Sequence, residues 1–290
     1  MRFPDEGPRP ARIVLIATPI GNLGDLAPRA LKELDAAEII CCEDTRRTRA
    51  LLSAVGLSSS NARLVSLHAH NEAARIPEVI EWVLNGRTVA VVVDAGTPGI
   101  SDPGERLVRA AGQAGIEVAC VPGPSAVIAA LMVSGLPSAR FCMEGFLPRK
   151  GKERLQRIES LANERRTSLI LESPVRLVAT LSELLDALGE REVVIARELT
   201  KLYEEVWRGT LGTAVSHFGI DQVRGEIVIV LAGATDPGPK SDEFIEAAVR
   251  SRLSEGGGTR QIANELAKEL GVSRRHIYEL ALRLRTEDPI

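Results

Sequence analysis

The stretch that most restricts the fold is the junction of Thr88-Val89-Ala90-Val91-Val92-Val93 with Asp94-Ala95-Gly96-Thr97-Pro98-Gly99-Ile100-Ser101-Asp102-Pro103-Gly104. An apolar run rich in β-branched residues and free of alternation reads as a strand buried on both faces. The eleven residues after it hold three glycines, two prolines, two aspartates and two hydroxyls. Glu105 to Ala111 then has the apolar spacing of a helix. A rigid, glycine-permissive loop between a buried strand and a helix is where open α/β sheets place ligands. Glycines let backbone N–H groups approach a ligand, and prolines limit how far the loop relaxes.

The same grammar recurs along the chain. Arg12 to Ala17 reads as a first strand and breaks into Thr18-Pro19-Ile20-Gly21-Asn22-Leu23-Gly24-Asp25. A helix over 28–37 and a short strand at Glu38 to Cys42 follow. Glu43-Asp44-Thr45 reads as a helix start, with Asp44 or Thr45 as the cap. Leu64 to Leu67 is a strand leading into His68-Ala69-His70-Asn71-Glu72, and Glu72 to Leu84 is a helix. Ile116 to Val121 is a strand, joined to a helix by Pro122-Gly123-Pro124-Ser125-Ala126. Strands and helices alternate, with the unusual residues at strand ends, which specifies a parallel sheet with one functional edge.

From Phe141 the texture changes. Strands at 141–146, 168–171, 193–196, 204–207 and 225–231 surround a basic helix carrying Lys150, Lys152, Arg154 and Arg157, and read as a second α/β domain with more antiparallel pairing. The expected division is a tail at 1–11, domains at 12–127 and 128–235, and a helical tail at 236–290, with 236–240 as linker. In the last segment, helix 261–270, Gly271, and a helix capped by Ser273 that opens Arg274-Arg275-His276 match a helix-turn-helix; a plain helical hairpin used for packing or dimerisation is the alternative.

Apolar residues make up 44% of the 290, enough for packed cores, but aromatics are 3%, so those cores rest on Val, Ile, Leu and Ala. A net charge of -3 marks no chain-wide nucleic-acid surface, so such contacts rest on local basic patches. Cys41, Cys42, Cys120 and Cys142 lack metal spacing and read as buried free thiols of a reducing compartment. No run approaches a membrane span and residues 1–10 lack a signal-peptide core, so the expectation is a cytoplasmic protein without membrane contact. The pair His68 and His70 lacks a nearby third ligand, and no metal is expected. There is no G-x-G-x-x-G after the first strand, no Walker lysine loop and no G-x-S-x-G.

One ordered set of motifs remains: Thr18 to Asp25, Glu43-Asp44-Thr45-Arg46, Asp94 to Gly104, Pro122 to Ala126, Gly145-Phe146-Leu147-Pro148-Arg149-Lys150, Glu172-Ser173-Pro174, Ala196-Arg197-Glu198-Leu199-Thr200-Lys201 and Arg224-Gly225-Glu226. Together these resemble the ribosomal RNA small subunit methyltransferase I family, a branch of the tetrapyrrole methylases, from about Arg12 to Leu231. The resemblance implies a two-domain α/β fold with S-adenosylmethionine (SAM) in the interdomain cleft and a helix-turn-helix-like tail. It implies a homodimer that methylates a cytidine ribose 2′-hydroxyl in the decoding region of 16S ribosomal RNA, within the small ribosomal subunit. Carried over by residue, donor contacts fall on Pro19, Gly21, Asp94, Ala95, Gly96, Thr97, Ile100, Ser125, Ala126, Glu172 and Leu199. Asp94, Asp102 and Glu172, with Asp44, are the candidate proton acceptors. RNA contacts fall on Arg46, Arg47, Arg149, Lys150, Lys152, Arg274 and Arg275, with Arg49 and Arg154 in the same clusters.

Arg47, Val175 and Tyr203 stand where this family carries histidine, which removes a histidine acceptor from those positions. Two other functions stay open on sequence alone. One is a methylase of a small tetrapyrrole precursor; the other is a ligand-sensing regulator whose tail binds duplex DNA.

Overall fold

A computed structural model describes residues 10–58, 61–220, 222–235 and 241–287. The expected N-terminal tail, up to residue 9, and the expected linker at 236–240 lie outside the described residues. Residues 1–234 form one compact unit and 235–290 another.

The first unit contains two five-stranded sheets. Strands β1 (Ile13–Ile16), β2 (Ile39–Cys42), β3 (Arg63–Ser66), β4 (Val89–Val92) and β5 (Val118–Val121) lie in the order β3-β2-β4-β1-β5. All their pairings are parallel. Helices α1 (Pro28–Ala36), α2 (Thr45–Ala54), α3 (Glu72–Leu84) and α4 (Glu105–Gln113) make the crossovers. Successive residues of a strand point to opposite faces. Val14, Ile16, Ile40, Cys42, Ala90 and Val92 therefore pack on one side with Leu34 and Leu52. Ile13, Ile39, Cys41, Val89 and Val91 pack on the other with Val79, Val83 and Leu107. Burial on both faces accounts for the unbroken apolar run before Asp94.

Helix α5 (Ala126–Ser134) follows the first sheet but packs on the second. That sheet runs β6 (Phe141–Phe146), β7 (Thr167–Glu172), β10 (Ile227–Leu231), β8 (Glu192–Arg197) and β9 (Glu205–Thr210). Only β6 and β7 pair in parallel; the other pairings are antiparallel. Helices α6 (Lys152–Ser160), α7 (Leu177–Leu188) and α8 (Leu211–Phe218) lie with this sheet, and α7 and α8 cover Ile170, Ile195, Ile227 and Ile229. Leu169, Val194, Ala196 and Val230 face α5 on the other side, where Ile20 and Leu199 join the same cluster. In β6 the register against β7 shifts between Met143 and Gly145.

The second unit is three helices, α9 (Asp242–Ser254), α10 (Thr259–Leu270) and α11 (Arg274–Glu287), around Ile245, Val249, Ile262, Leu266 and Ile277. Gly271 adopts a left-handed conformation with φ of 67°, and Ser273 accepts the His276 N–H at 3.1 Å, which gives the tight turn expected between α10 and α11. Helix α9 is a third member that the two-helix reading lacked. Among the described residues no helix is long and apolar enough to cross a membrane. Cys41 and Cys42 are buried, but Cys120 is exposed and Cys142 half-buried, which corrects the expectation of four buried thiols. Cys120 sits on β5, the sheet's edge strand, and covering is incomplete there.

Candidate functional site

The loops after β1 and β4 are tied together by a two-residue bridge. Thr18 N–H donates to the Gly96 carbonyl at 2.9 Å, and Gly96 N–H returns to the Thr18 carbonyl at 3.1 Å. Gly96 has φ of 94°, a conformation that side chains resist. Thr97 Oγ1 donates to the Pro124 carbonyl at 3.0 Å, joining the loop after β5 to the other two. At the far end of the central loop, the Glu72 carboxylate accepts the N–H groups of Gly104 and Leu107. Three loops at the strands' carboxyl ends are thus fixed to one another by the chain's own hydrogen bonds.

Between these loops and the second sheet lies a cavity of about 400 Å³. Ala95, Gly96, Thr97, Ile100, Ser125, Ala126, Glu172 and Leu199, all expected contacts, line it. Ile20, Ser101, Asp102, Met143, Phe146 and Glu226 line it as well. Its volume, mostly apolar wall and few polar groups suit a nucleoside-bearing small molecule.

Pro19, Gly21 and Asp94 are not among the lining residues, although the sequence assigned them to the donor. Gly21 faces the 198–201 loop instead: a Cβ there would come within 2.3 Å of the Lys201 side chain. In that loop Glu198 and Thr200 have φ of 51° and 66°, and Lys201 Nζ bridges Glu198 and Glu226. Asp94 turns toward β2, where it accepts the Asp44 N–H at 3.2 Å and pairs with Arg47 at 3.2 Å.

The carboxylates separate by environment. Glu172 has both oxygens occupied: Arg176 Nε and the Ser173 N–H reach Oε1 at 2.7 Å, and Thr180 Oγ1 reaches Oε2 at 2.7 Å. Arg176 also donates to the Leu147 carbonyl, while Arg154 links Thr180 to the Pro148 carbonyl. These contacts tie Glu172, which also lines the cavity, to the 147–148 turn. Asp44 is the N-cap of α2 and is held far below the usual carboxylate range, first by hydrogen bonding to the Arg46 side chain and then to its N–H. Asp102 stands apart. It lines the cavity, and its carboxyl is pushed up to about 6, chiefly by burial and then by the charges of Glu43 and Asp94.

Of the expected RNA contacts, Arg149, Lys150 and Lys152 are exposed around the start of α6. Arg154, only 5% exposed and paired with Glu183 at 2.6 Å, is structural, a correction to the basic cluster. Arg46 pairs with Asp44 at the surface. On the second unit, Arg274 and Arg275 are exposed in the first turn of α11, with Arg275 bound to Glu279 at 2.8 Å. The missed lining residues carried a signal in part: Phe146 and Glu226 lie in the quoted motifs, whereas Met143 reads as ordinary core.

Residues 12–215 match the family model described as Tetrapyrrole (Corrin/Porphyrin) Methylases. The chain is 45% identical over 278 residues to a Synechocystis protein named Ribosomal RNA small subunit methyltransferase I, covering 95% of this chain and 99% of that one. A protein of the same name from Mycobacterium tuberculosis is 43% identical over 283 residues, covering 95% and 96%. One from Thermotoga maritima is 46% identical, covering 77% of this chain and 98% of its own. Among solved structures, a diphthine synthase superposes with a TM-score of 0.59 at 17% identity, covering 76% of this chain and 89% of that one. The Thermus thermophilus uroporphyrin-III C-methyl transferase complexed with S-adenyl homocysteine gives 0.52 at 18%, covering 77% and 97%. These two share the fold.

Proposed function

The chain belongs to the ribosomal RNA small subunit methyltransferase I family of tetrapyrrole methylases, and from that premise we propose that it methylates the ribose 2′-hydroxyl of a cytidine in the decoding region of 16S ribosomal RNA. The donor is S-adenosylmethionine, which supplies an electrophilic methyl group on a sulfonium sulfur. Ala95 to Thr97, Ser125, Ala126 and Leu199 would hold it in the cavity, where Gly96, at φ of 94°, adds no side chain to the wall.

One observation supports the reaction most directly: Asp102 lines the cavity and has a carboxyl near 6. At neutral pH it is ionised and basic enough to take the proton that a 2′-hydroxyl sheds as its oxygen bonds to the methyl carbon. The carbon–sulfur bond breaks as that bond forms, leaving S-adenosylhomocysteine and the methylated ribose. Holding the two reactants in line supplies the rest of the acceleration, up to roughly 7–11 kcal/mol for well-oriented pairs. Glu172, Arg176 and Arg154 keep the facing wall in place.

The protein acts in the cytoplasm as a homodimer on the assembled small subunit. Ile128, Met132 and Val133 leave an apolar strip of α5 exposed, which supports self-association. Its α/β part divides near residue 127, and the tail from 236 docks RNA or ribosomal protein through Arg274 and Arg275. Arg46, Arg47, Arg149, Lys150 and Lys152 contact phosphates. The test is to incubate the protein with labelled SAM and small subunits, digest the RNA to nucleosides and separate these by mass spectrometry. Label on a cytidine ribose is expected; label on a base, or on a tetrapyrrole alone, would overturn the assignment.

A further inference from the structure

We infer that Phe146 is the platform on which the base of the methylated nucleotide stacks, and that the bulge in β6 helps fix it in the cleft. The inference rests on the RNA reaction proposed above and names how its acceptor is held.

In a regular strand, residues three apart point to opposite faces. Met143 and Phe146 are three apart, yet both line the cavity. The register explains this: Met143 pairs with Leu169, Gly145 with Ile170 and Phe146 with Leu171, so Glu144 is the extra residue of a bulge. One added residue returns Phe146 to the face that carries Met143 and Leu171. Gly145 takes the left-handed conformation, φ of 64°, that the turn requires. Arg157 holds the bulge by donating to the Glu144 carbonyl at 2.9 Å and to its carboxylate at 2.7 Å.

The result is an aromatic ring left 61% exposed in a chain with five phenylalanines. Phe141 and Phe244 are exposed as well, at 38% and 53%, so what singles out Phe146 is its place in the cavity wall. A Cβ on Gly145 would lie 3.8 Å from Ser101 Oγ, so the bulge sits against the loop that presents Asp102. The residues just after it are pinned by Arg176 on the Leu147 carbonyl and Arg154 on the Pro148 carbonyl, so the ring stands on a fixed support. Arg149 and Lys150 follow, exposed and suited to a phosphate.

A ribose hydroxyl can reach a buried methyl group only if its nucleotide leaves the stack of its neighbours. An extruded base regains stacking on an aromatic face. The charge beside the ring and the acid across from it fit a nucleotide better than an apolar protein segment. Stacking without base-specific hydrogen bonds also tolerates any base, so Phe146 positions the acceptor and leaves sequence choice to other groups.

The experiment compares the unaltered protein with Phe146→Leu and Phe146→Trp, measuring KM and kcat for small ribosomal subunits and the SAM dissociation constant by calorimetry. Phe146→Leu is expected to lower kcat/KM for subunits roughly tenfold or more, and Phe146→Trp to stay within about threefold of the original. SAM affinity should be unchanged in both. Equal kinetics for Phe146→Leu, or a parallel fall in SAM affinity, would overturn the platform. So would a change in sedimentation, which would assign the ring to a protein contact. Absence of transfer by the unaltered protein would overturn the reaction itself.

Discussion

Glu72 Oε1 accepts the N–H of Gly104 at 3.0 Å, so an acid in the first turn of α3 caps the start of α4. Gly104 has no side chain with which to cap its own helix, and φ of 137° with the Gly99 backbone 3.2 Å from where a Cβ would sit makes one strained and tight. The cap is supplied across 32 residues of chain, and it fixes the distal end of the central loop. Glu72→Ala would leave two buried N–H groups without an acceptor. A loss of about 1–3 kcal/mol in denaturant unfolding is expected, with Glu72→Gln retaining more because it keeps an oxygen.

Replacing Gly96 by Val forces a β-branched residue to φ of 94° beside Ile20. The backbone must then shift in the wall of the cavity proposed to hold the donor. Calorimetry on the folded variant should show SAM binding weakened at least tenfold, about 1.4 kcal/mol; unchanged affinity would move the donor elsewhere.

The Asp102 carboxyl, near 6, gives a pH signature. Its folded value lies above that of an unfolded aspartate, so the native state holds this proton more tightly. Ionising Asp102 therefore costs stability: the cost is full above about pH 6, shrinks as pH falls below it, and is gone below the ordinary aspartate value of 3.8. Activity runs the opposite way, because only the carboxylate accepts a proton: kcat/KM should fall as pH drops below 6. Asp102→Asn should flatten this limb and reduce the rate by roughly 10² to 10⁴. It should also unfold no more easily than the original protein at pH 8. A retained limb would assign the titration to another group.

Glu172 should behave differently. Removing it strands Arg176 and Thr180 and frees the 147–148 turn. Glu172→Ala is expected to cost about 3 kcal/mol, the low end for breaking a buried pair, since Arg176 is partly exposed. The limb near pH 6 should survive in whatever activity remains. Loss of that limb with unchanged stability would restore Glu172 as the acceptor.

Charge reversal at Arg149, Lys150 and Lys152 should weaken subunit binding and flatten its dependence on salt, because fewer counterions are released. SAM affinity should not change. A protein ending near Pro237 should likewise keep SAM affinity and lose methylation of the subunit. Full methylation by it would assign the tail to stability or assembly.

Much of this was legible in the chain. The parallel sheet announced itself because strands buried on both faces leave unbroken apolar runs, as in Val89 to Val92. Gly96 and Thr97 were legible because glycine and proline leave few alternatives at a strand's end. Helices α7 and α8 were not read, since Leu177 to Leu188 and Leu211 to Phe218 show no motif and sit between stronger signals. The role of Glu172 was hidden for another reason. Its partners Arg176, Thr180 and Ser173 are close in sequence, but the carbonyls that network serves belong to residues 147 and 148. Gly21 faces Lys201, and a glycine beside a ligand and one beside a lysine side chain look the same in sequence.

The bulge at Glu144 makes the length of β6, and not only its composition, part of what the protein can do. Edge strands ordinarily absorb gains and losses of single residues, and elsewhere a position such as Gly86, with nothing near its missing side chain, leaves room for them. Gain of one residue between Met143 and Phe146, with no second bulge to absorb it, would reverse which way the ring looks, whereas loss of Glu144 would leave Phe146 opposite Leu171 on the same face. Substitution at Glu144 loosens only the hold of Arg157. Across related chains, therefore, residue types at Glu144 are free to drift, while single-residue insertions between the partners of Leu169 and Leu171 should be absent.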